Sequence, residues 1–322
     1  MTLFKISETG LSVINEKSFE LEKHIQRICE DNLKKIFGLE IIKSEFGLHG
    51  LRIDTLAFSP KTKSFIIIEY KNDKNFSVID QGFAYLSLLL NNKAEFILAY
   101  NESDAVTTPD YDEDGNISNV PPDPGKMLKK DDVDWEQTRV YFVAPAFTEY
   151  QKKAIEFKDL PILLFTVKKY ENNFLSIDPV LVPEKSESIN KVTKSDVIQK
   201  VTKEVKVYNE EDHQSSASEA VKELYENLKN EIFKLGQDVV IEPQKRYIAF
   251  KRKSNFVDVC FQKNRLKFWI NLRKGQLIDS FNLCRDVSEI GHLGNGDYEV
   301  MLDSPKEIIN VMQLIKQSYD KN

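Results

Sequence analysis

Apolar residues recur along the chain with two different periods. From Ser18 to Phe37, the residues Phe19, Leu21, Ile25, Ile28, Leu33 and Ile36 fall at helical spacing with Gly38 behind them, so the spacing predicts one long helix. The period then shortens. Leu39 to Phe46, Leu51 to Phe58 and Phe65 to Tyr70 read as three successive strands, the last two joined by the turn Ser59-Pro60-Lys61-Thr62. A helix from about Val78 to Leu90 and a short buried strand from Phe96 to Tyr100 are expected next. Further alternation follows, with strands near Val140 to Ala144, Ile162 to Val167 and Phe174 to Ile177 and a helix near Phe147 to Phe157. A mixed sheet flanked by helices accounts for this order, which places the first part of the chain in the α/β class.

Polar stretches divide the rest. Residues 101 to about 136 are rich in Pro, Asp and Gly and too long for an ordinary loop, and they read as an insertion. Within it, Asp110-Tyr111-Asp112-Glu113-Asp114-Gly115-Asn116 matches the first half of a calcium-binding loop, but Pro121 stands where the bidentate glutamate belongs, so a solvated acidic turn is expected. From Pro183 to about Ser218 Ser, Lys and Glu dominate, which predicts a polar linker. The expected division is a first domain over 1–183, a linker over 184–204, and a second, smaller α+β domain over 205–322. The latter starts with an amphipathic helix from Glu219 to Leu235. Strands follow near Tyr247 to Arg252, Phe256 to Gln262, Leu266 to Leu272 and Tyr298 to Leu302, and a helix from Ser304 to Tyr319 closes it, with Pro305 at its first turn.

At 41% hydrophobic and 30% charged residues the chain has the composition of a folded globular protein, which excludes disorder throughout. The start MTLFKISETGLSV has neither a basic end nor an apolar run, and no stretch nears 18 consecutive apolar residues. A cytoplasmic protein without membrane contact is expected. Cys29, Cys260 and Cys284 show no CxxC spacing, so neither a disulfide framework nor a thiolate metal site is indicated. The net charge of −6 argues against a polyanionic partner only until its distribution is examined. Residues 101–136 hold eleven acids against three lysines, whereas Lys245 to Lys274 holds ten basic residues against one acid, Asp258. A polyanion responds to the local field.

Two apolar strands are interrupted by charge: RIDTLAF, from Arg52 to Phe58, and FIIIEYK, from Phe65 to Lys71. Charge at interior strand positions costs several kcal/mol unless it is paired or bound. Because side chains alternate, Glu69 and Lys71 share one face with Tyr70 opposite, and a hairpin pairing brings Asp54 beside Glu69. Two carboxylates with room for water suit Mg2+ or Mn2+, and the Tyr70 carbonyl is a further candidate ligand. Such a cation activates water and neutralises charge on a phosphodiester, while Lys71 orients the water or stabilises the transition state. The competing interpretation is a structural ion pair at a sheet edge.

With Asp54 and Glu69-Tyr70-Lys71 followed by Gln81-Gly82-Phe83-Ala84-Tyr85, the sequence resembles the PD-(D/E)xK nuclease superfamily and, through this likeness to a QxxxY motif, its RecB-like branch. Gln81 and Tyr85 lie at i and i+4, on one helix face. The resemblance implies a restriction-endonuclease-like fold and a metal-dependent, phosphodiester-cleaving endonuclease acting on DNA, in repair or in defence against foreign DNA. It also implies a glutamate on the first helix directed at the metal; Glu22 is the best-placed match, with Glu20 and Glu30 as alternatives. Ile53 stands where the family name has proline. The alternative function is that of an inactive nuclease fold acting as a DNA-binding or complex-assembly module.

In the second domain Leu266, Phe268, Ile270 and Leu272 alternate with Arg265, Lys267, Trp269 and Asn271, which predicts one core face and one basic face with an exposed indole. Lys251, Arg252, Lys253, Lys267, Trp269 and Arg273 are the candidate nucleic-acid contacts, cations for phosphate and an aromatic for stacking, and a protein partner is the alternative. YIAFKRKSNFVDV (Tyr247 to Val259) and IGHLGNGDYEV (Ile290 to Val300) resemble an uncharacterised C-terminal domain found on such nucleases and once labelled a predicted transport protein. Nothing in this sequence supports transport. Gly291 to Asp297 lacks the Lys-Ser/Thr of a phosphate loop, so Asn295-Gly296 is expected to form a tight hairpin turn, with His292 capping it or buried in the core.

Overall fold

The computed structural model describes all residues except 1, 9, 74–75, 105, 107–109, 112–116, 119–124 and 182–185. Residues 112–116 of the calcium-loop-like stretch and part of the acidic insertion therefore fall outside the described residues. The chain forms two compact units, Met1–Val207 and Tyr208–Asn322.

The first unit is built on a seven-stranded mixed sheet. Its order is Leu175–Pro179, Ile162–Tyr170, Arg139–Ala144, Ser64–Tyr70, Leu51–Ser59 and Glu40–Leu48, with the short strand Glu16–Lys17 also pairing with Ile162–Tyr170. Ser64–Tyr70 runs parallel to Arg139–Ala144 and antiparallel to Leu51–Ser59. Every residue of Ser64–Tyr70 is buried, as befits a central strand covered on both faces. On one face Leu56, Phe58, Phe65 and Ile67 meet Phe83, Leu86 and Leu89 of the Val78–Asn91 helix. On the other, Ala57, Ile66, Ile68 and Tyr70 meet Ile25 and Cys29 of the Glu22–Glu30 helix.

Three expectations change here. The single helix over 18–37 is two, Glu22–Glu30 and Leu33–Phe37, because Asn32 leaves helical geometry at φ −130°. Its Nδ2 turns back to the Ile28 carbonyl at 3.0 Å, the local competition with helix that asparagine favours. Phe96 to Tyr100 lies in a helix, Lys93–Asn101, rather than a strand. Phe96, Ala99 and Tyr100 are buried at i, i+3 and i+4, a spacing that a five-residue apolar run does not distinguish from a buried strand. A hairpin of Leu3–Ser7 and Gly10–Ile14, which the periodicity did not suggest, precedes both. The segment read as a polar linker carries the helices Ile189–Val192 and Asp196–Glu204, and its Ile189, Val201 and Val205 are buried in the first unit's core. Sparse apolar residues on helices whose other faces are polar give a linker-like composition.

The second unit is a six-stranded antiparallel sheet in the order Val240–Pro243, Ile248–Lys251, Asn255–Phe261, Leu266–Ile270, Tyr298–Leu302 and Cys284–Asp286. Helices Glu219–Phe233 and Ile308–Lys321 cover one face, packing Leu224, Leu228, Val311 and Ile315 into a core with Phe250, Val257, Phe268 and Val300. The opposite row across the strands runs Ala249, Asp258, Trp269, Glu299 and Arg285. Asn295-Gly296 is not a tight hairpin turn. It belongs to the longer 287–297 loop, and Gly296 lies so close to the strand that a Cβ would stand 1.8 Å from the Ile270 carbonyl oxygen. Glycine serves close approach here.

Candidate active site

The antiparallel ladder between Leu51–Ser59 and Ser64–Tyr70 has Thr55 opposite Ile68 as its last pair on the site side. The pairing ends there. The Asp54 side chain fills the gap, its Oδ2 accepting from the Tyr70 N–H at 3.0 Å. This fixes Asp54 beside Glu69, at 9% and 3% exposure respectively. Tyr70 contributes main chain only, since its ring is buried on the opposite face.

Glu69 is held by three donors. Lys71 Nζ and Gln81 Nε2 both reach Oε1 at 2.7 Å, and the Tyr85 hydroxyl reaches Oε2 at 2.9 Å. Gln81 Nε2 also lies 3.1 Å from the Tyr85 hydroxyl, and that hydroxyl lies 3.0 Å from the Arg52 carbonyl oxygen. The helix that carries both begins at Ser77, whose Oγ caps the Asp80 N–H at 3.2 Å. Gly82 lets this helix settle on the sheet: a Cβ there would meet Ile162 Cδ1 at 2.4 Å. Any larger residue would have to displace the Ile162 side chain.

Glu22 opens its helix and accepts from the Asn72 N–H at 3.0 Å, at the end of the strand that carries Glu69 and Lys71. The alternatives are placed elsewhere. Glu20 is exposed, and Glu30 accepts from Thr55 Oγ1 and from Gln26 Nε2. Gln26 was missed by sequence reasoning. It is buried and donates to the Asp54 carbonyl at 3.1 Å, tying the first helix to the aspartate strand. A glutamine on the buried face of an amphipathic helix, one position after Ile25, was the available signal.

The electrostatics follow from burial. Loss of water, and after it the Glu69 carboxylate, push the Asp54 carboxyl up to about 6, against the pull of the Tyr70 N–H and Lys71. For Lys71 burial works against the charge, but Glu69, Glu22 and Asp54 together hold the ammonium above its ordinary range. Burial and Glu69 likewise raise the Tyr85 phenol. The surroundings thus favour the ammonium form of Lys71 and the protonated phenol of Tyr85, which donates to Glu69.

A divalent cation fits this donor set, with few protein ligands. Among the described residues no group of three or more His, Cys, Asp and Glu side chains stands ready to hold a metal. A carboxylate offers about four lone-pair sites. Glu69 uses three, and among the described residues Asp54 Oδ1 receives no hydrogen bond. Two hard oxygens with water completing the shell match the habit of Mg2+.

The candidate contacts of the second unit are placed differently. Trp269 is 1% exposed, so the expected exposed indole is a buried one. Gly294 lies against it, where a Cβ would come within 2.6 Å of the indole, and the ring stacks on His292 with centroids 6.5 Å apart. The 287–297 loop covers the strand face that alternation assigned to solvent. His292 Nδ1 lies 2.8 Å from the Gly294 carbonyl oxygen, a contact within the loop. Lys267 pairs with Glu299 at 2.9 Å, Lys251 with Glu242 at 2.9 Å, and Arg252 with Asp238 at 2.7 Å. Arg273 approaches Asp297 at 3.6 Å, and Lys253 is exposed. The acids that balance the basic run lie outside it in sequence, on neighbouring strands and loops.

Among the described residues no helix is long and apolar enough to cross a membrane. Residues 210–322 match the family model described as Domain of unknown function (DUF5655). Two solved structures share a weak, partial likeness. One is titled "Structure of EndoMS-dsDNA2 complex", at 13% identity and a TM-score of 0.26 over 45% of this chain and 47% of that one. The other is a repair endonuclease from Pyrococcus abyssi, at 17% identity and a TM-score of 0.22 over 44% and 45%. The chain thus spans under half the length of either. An uncharacterized protein of Haemophilus influenzae (strain ATCC 51907 / DSM 11121 / KW20 / Rd) is 41% identical over 319 residues, which is 99% of each chain. At that identity over nearly its whole length, the chain belongs to the same family as this Haemophilus influenzae protein.

Proposed function

We propose that the first unit is a PD-(D/E)xK-type nuclease that hydrolyses phosphodiester bonds of DNA with Mg2+ or Mn2+. The observation that carries this is the convergence of Asp54, Glu69, Lys71, Gln81 and Tyr85 on one end of the central strand. Two buried carboxylates stand together there with one ammonium group.

Asp54 and Glu69 would hold the cation, with the Tyr70 carbonyl and water completing its shell. When bound, the ion supplies Lewis acidity and neutralises charge on the phosphodiester. Lys71, kept cationic by its acidic neighbours, holds positive charge where the pentavalent transition state gathers negative charge. Gln81 and Tyr85 fix the Glu69 carboxylate in one rotamer, so no reorganisation is needed as charge develops. Glu22, through the Asn72 N–H, anchors the strand end that carries Lys71.

Purified chain incubated with single-stranded, duplex, branched and RNA substrates, with Mg2+, Mn2+ or EDTA, tests the proposal. Cation-dependent cleavage of DNA is expected, reduced roughly 100- to 1000-fold in Asp54→Ala and in Lys71→Ala. Cleavage unaffected by either substitution would remove the site assignment. Binding without cleavage under every cation would make the protein an inactive nuclease fold that acts as a DNA-binding module.

A further inference from the structure

Beside the carboxylate site the first unit carries a cleft of about 270 Å3 whose walls include Lys17, Ser18, Phe19, Asn72, Pro145 and Lys169. Asn72 directly follows Lys71. Its Nδ2 donates to the Phe19 carbonyl at 3.0 Å and its N–H to Glu22 at 3.0 Å, so the cleft opens one residue from the ammonium group of the site. Two lysines on the far wall are in an unusual position. Lys17 and Lys169 are direct partners in the antiparallel pairing of Glu16–Lys17 with Ile162–Tyr170. Side chains at such positions share a face with Cβ atoms about 5 Å apart, and like charges there repel. The third lysine of the cleft, Lys168, is neutralised at 2.8 Å by Glu16, which also lines it. Lys17 and Lys169 are both exposed, and neither makes an ion pair among the described residues. A facing pair of unneutralised lysines weakens the sheet that carries it, and an anion between them reverses that.

The geometry points to this cleft as the seat of a backbone phosphate of the nucleic-acid strand being cut, a neighbour of the phosphodiester at Asp54, Glu69 and Lys71. The assignment rests on the nuclease reading and extends it to the path of the substrate. Phosphates follow one another at about 3.4 Å of axial rise along each strand of a duplex. Lys169 lies two residues from Val167, on the sheet face that holds the Tyr70 ring, so a strand leaving Lys71 rounds the strand end at Asn72 to bring a later phosphate to Lys17 and Lys169. Phe19 and Pro145 supply the apolar part of the wall, against which a sugar packs.

The test compares the full chain with the Lys17→Ala/Lys169→Ala double variant, reading binding of labelled DNA in EDTA across a range of salt, cleavage with Mg2+, and the unfolding midpoint. Each lost phosphate contact makes the slope of log affinity on log salt shallower by about 0.7 to 0.9, so a change of one to two is expected for the pair. KM rises about tenfold with kcat little changed, since the lysines bind substrate and transition state alike. The unfolding midpoint stays level or rises as the repulsion disappears. Lys191→Ala, an exposed lysine outside the cleft, leaves the slope unaltered. An unchanged slope in the double variant, while wild type still cleaves, overturns this assignment alone. So does a slope change accompanied by a lowered midpoint, which would make the lysines structural. Displacement of DNA by inorganic phosphate at constant ionic strength, with the same phosphate failing to compete in the double variant and the salt slopes equal, would make the cleft a free-anion site instead. A wild-type chain that neither binds nor cuts any nucleic acid overturns the nuclease reading together with this one.

Discussion

Each unit has a buried aspartate in its sheet, and the two live in opposite surroundings. Asp258 of the second unit is 0% exposed. It accepts from Asn255 Nδ2 at 2.7 Å, from Asn271 Nδ2 at 3.2 Å, and from both the N–H and Nδ2 of Asn295 at 2.8 Å. Its charge is shared out among donors, and the bonds to Asn295 pin the 287–297 loop over Trp269. The Asp54 carboxylate accepts, among the described residues, a single hydrogen bond, from the Tyr70 N–H, and has a second carboxylate beside it. Burial is common to both. What separates a fastener from a site is unmet demand: a desolvated carboxylate with few donors and a like-charged neighbour is stabilised by a cation.

The sharpest break in this comparison is the same substitution made in both places. Asp258→Asn replaces an acceptor ringed by N–H donors with a group that presents its own N–H2 to them, leaving buried donors without a partner. A loss of about 2 to 4 kcal/mol is expected in denaturant unfolding of the full chain. A loss below about 0.5 kcal/mol would show that the loop is held by something other than this carboxylate.

Asp54→Asn is expected to act in the opposite direction in EDTA. The native Asp54 carboxyl sits at about 6, above its ordinary 3.8, so the native state binds the proton more tightly than the unfolded chain. Its contribution to stability is fully present below about pH 4 and is lost as pH rises through 6. Near pH 7 the metal-free wild type therefore bears the cost of an ionised, desolvated carboxylate that the amide avoids. At about 1.4 kcal/mol per pKa unit, trimmed for partial solvent access, the variant gains on the order of 1 to 2 kcal/mol at pH 7 and nothing at pH 4. At the proposed cation site the same proton competes with the metal, so apparent Mg2+ affinity of the wild type is expected to fall about tenfold per pH unit below 6. Urea unfolding at the two pH values, with and without Mg2+, reads both effects. A variant less stable than wild type at pH 7 in EDTA would mean that Asp54 is a fastener after all.

The two aspartates also differ in how legible they were. Asp54, Glu69 and Lys71 interrupt apolar strands, and alternation with a hairpin pairing is enough to bring them together; Gln81 and Tyr85 follow at helical spacing. All of that is local or one turn away. Gln26 joins the site through a contact 28 residues apart with the Asp54 main chain, and no side-chain pattern encodes a main-chain acceptor. In the second unit alternation assigned Trp269 correctly to the face away from the helices. It carried no information on the loop that covers that face, which depends on Gly294 and Gly296 for close approach and on Asn295 for its anchor. A run of ten basic residues, likewise, does not reveal that Glu242, Asp238 and Glu299 stand against it. Which charges cancel is decided by tertiary pairing, and that is why strand alternation was enough to set Asp54 beside Glu69 but misjudged the exposure of Trp269.

The smallest effect tests the far side of the comparison. If the basic strands of the second unit are neutralised by their neighbours, removing one cation should matter little to a polyanion. Lys251 faces Glu242 at 2.9 Å, with both side chains about one-third exposed, at 33% and 40%. Lys251→Ala is expected to change unfolding stability by less than about 1 kcal/mol, as exposed pairs do, and to leave the salt slope of DNA binding within about 0.3 of wild type, well under the change for one lost phosphate contact. The result gains its meaning beside Lys17 and Lys169, which face each other and make no ion pair among the described residues. A slope shift of a full contact at Lys251 would mean that DNA displaces Glu242 and takes the lysine for itself. The paired sheet would then be a second phosphate surface held in reserve by its own acids, and charge cancellation would cease to separate the two units.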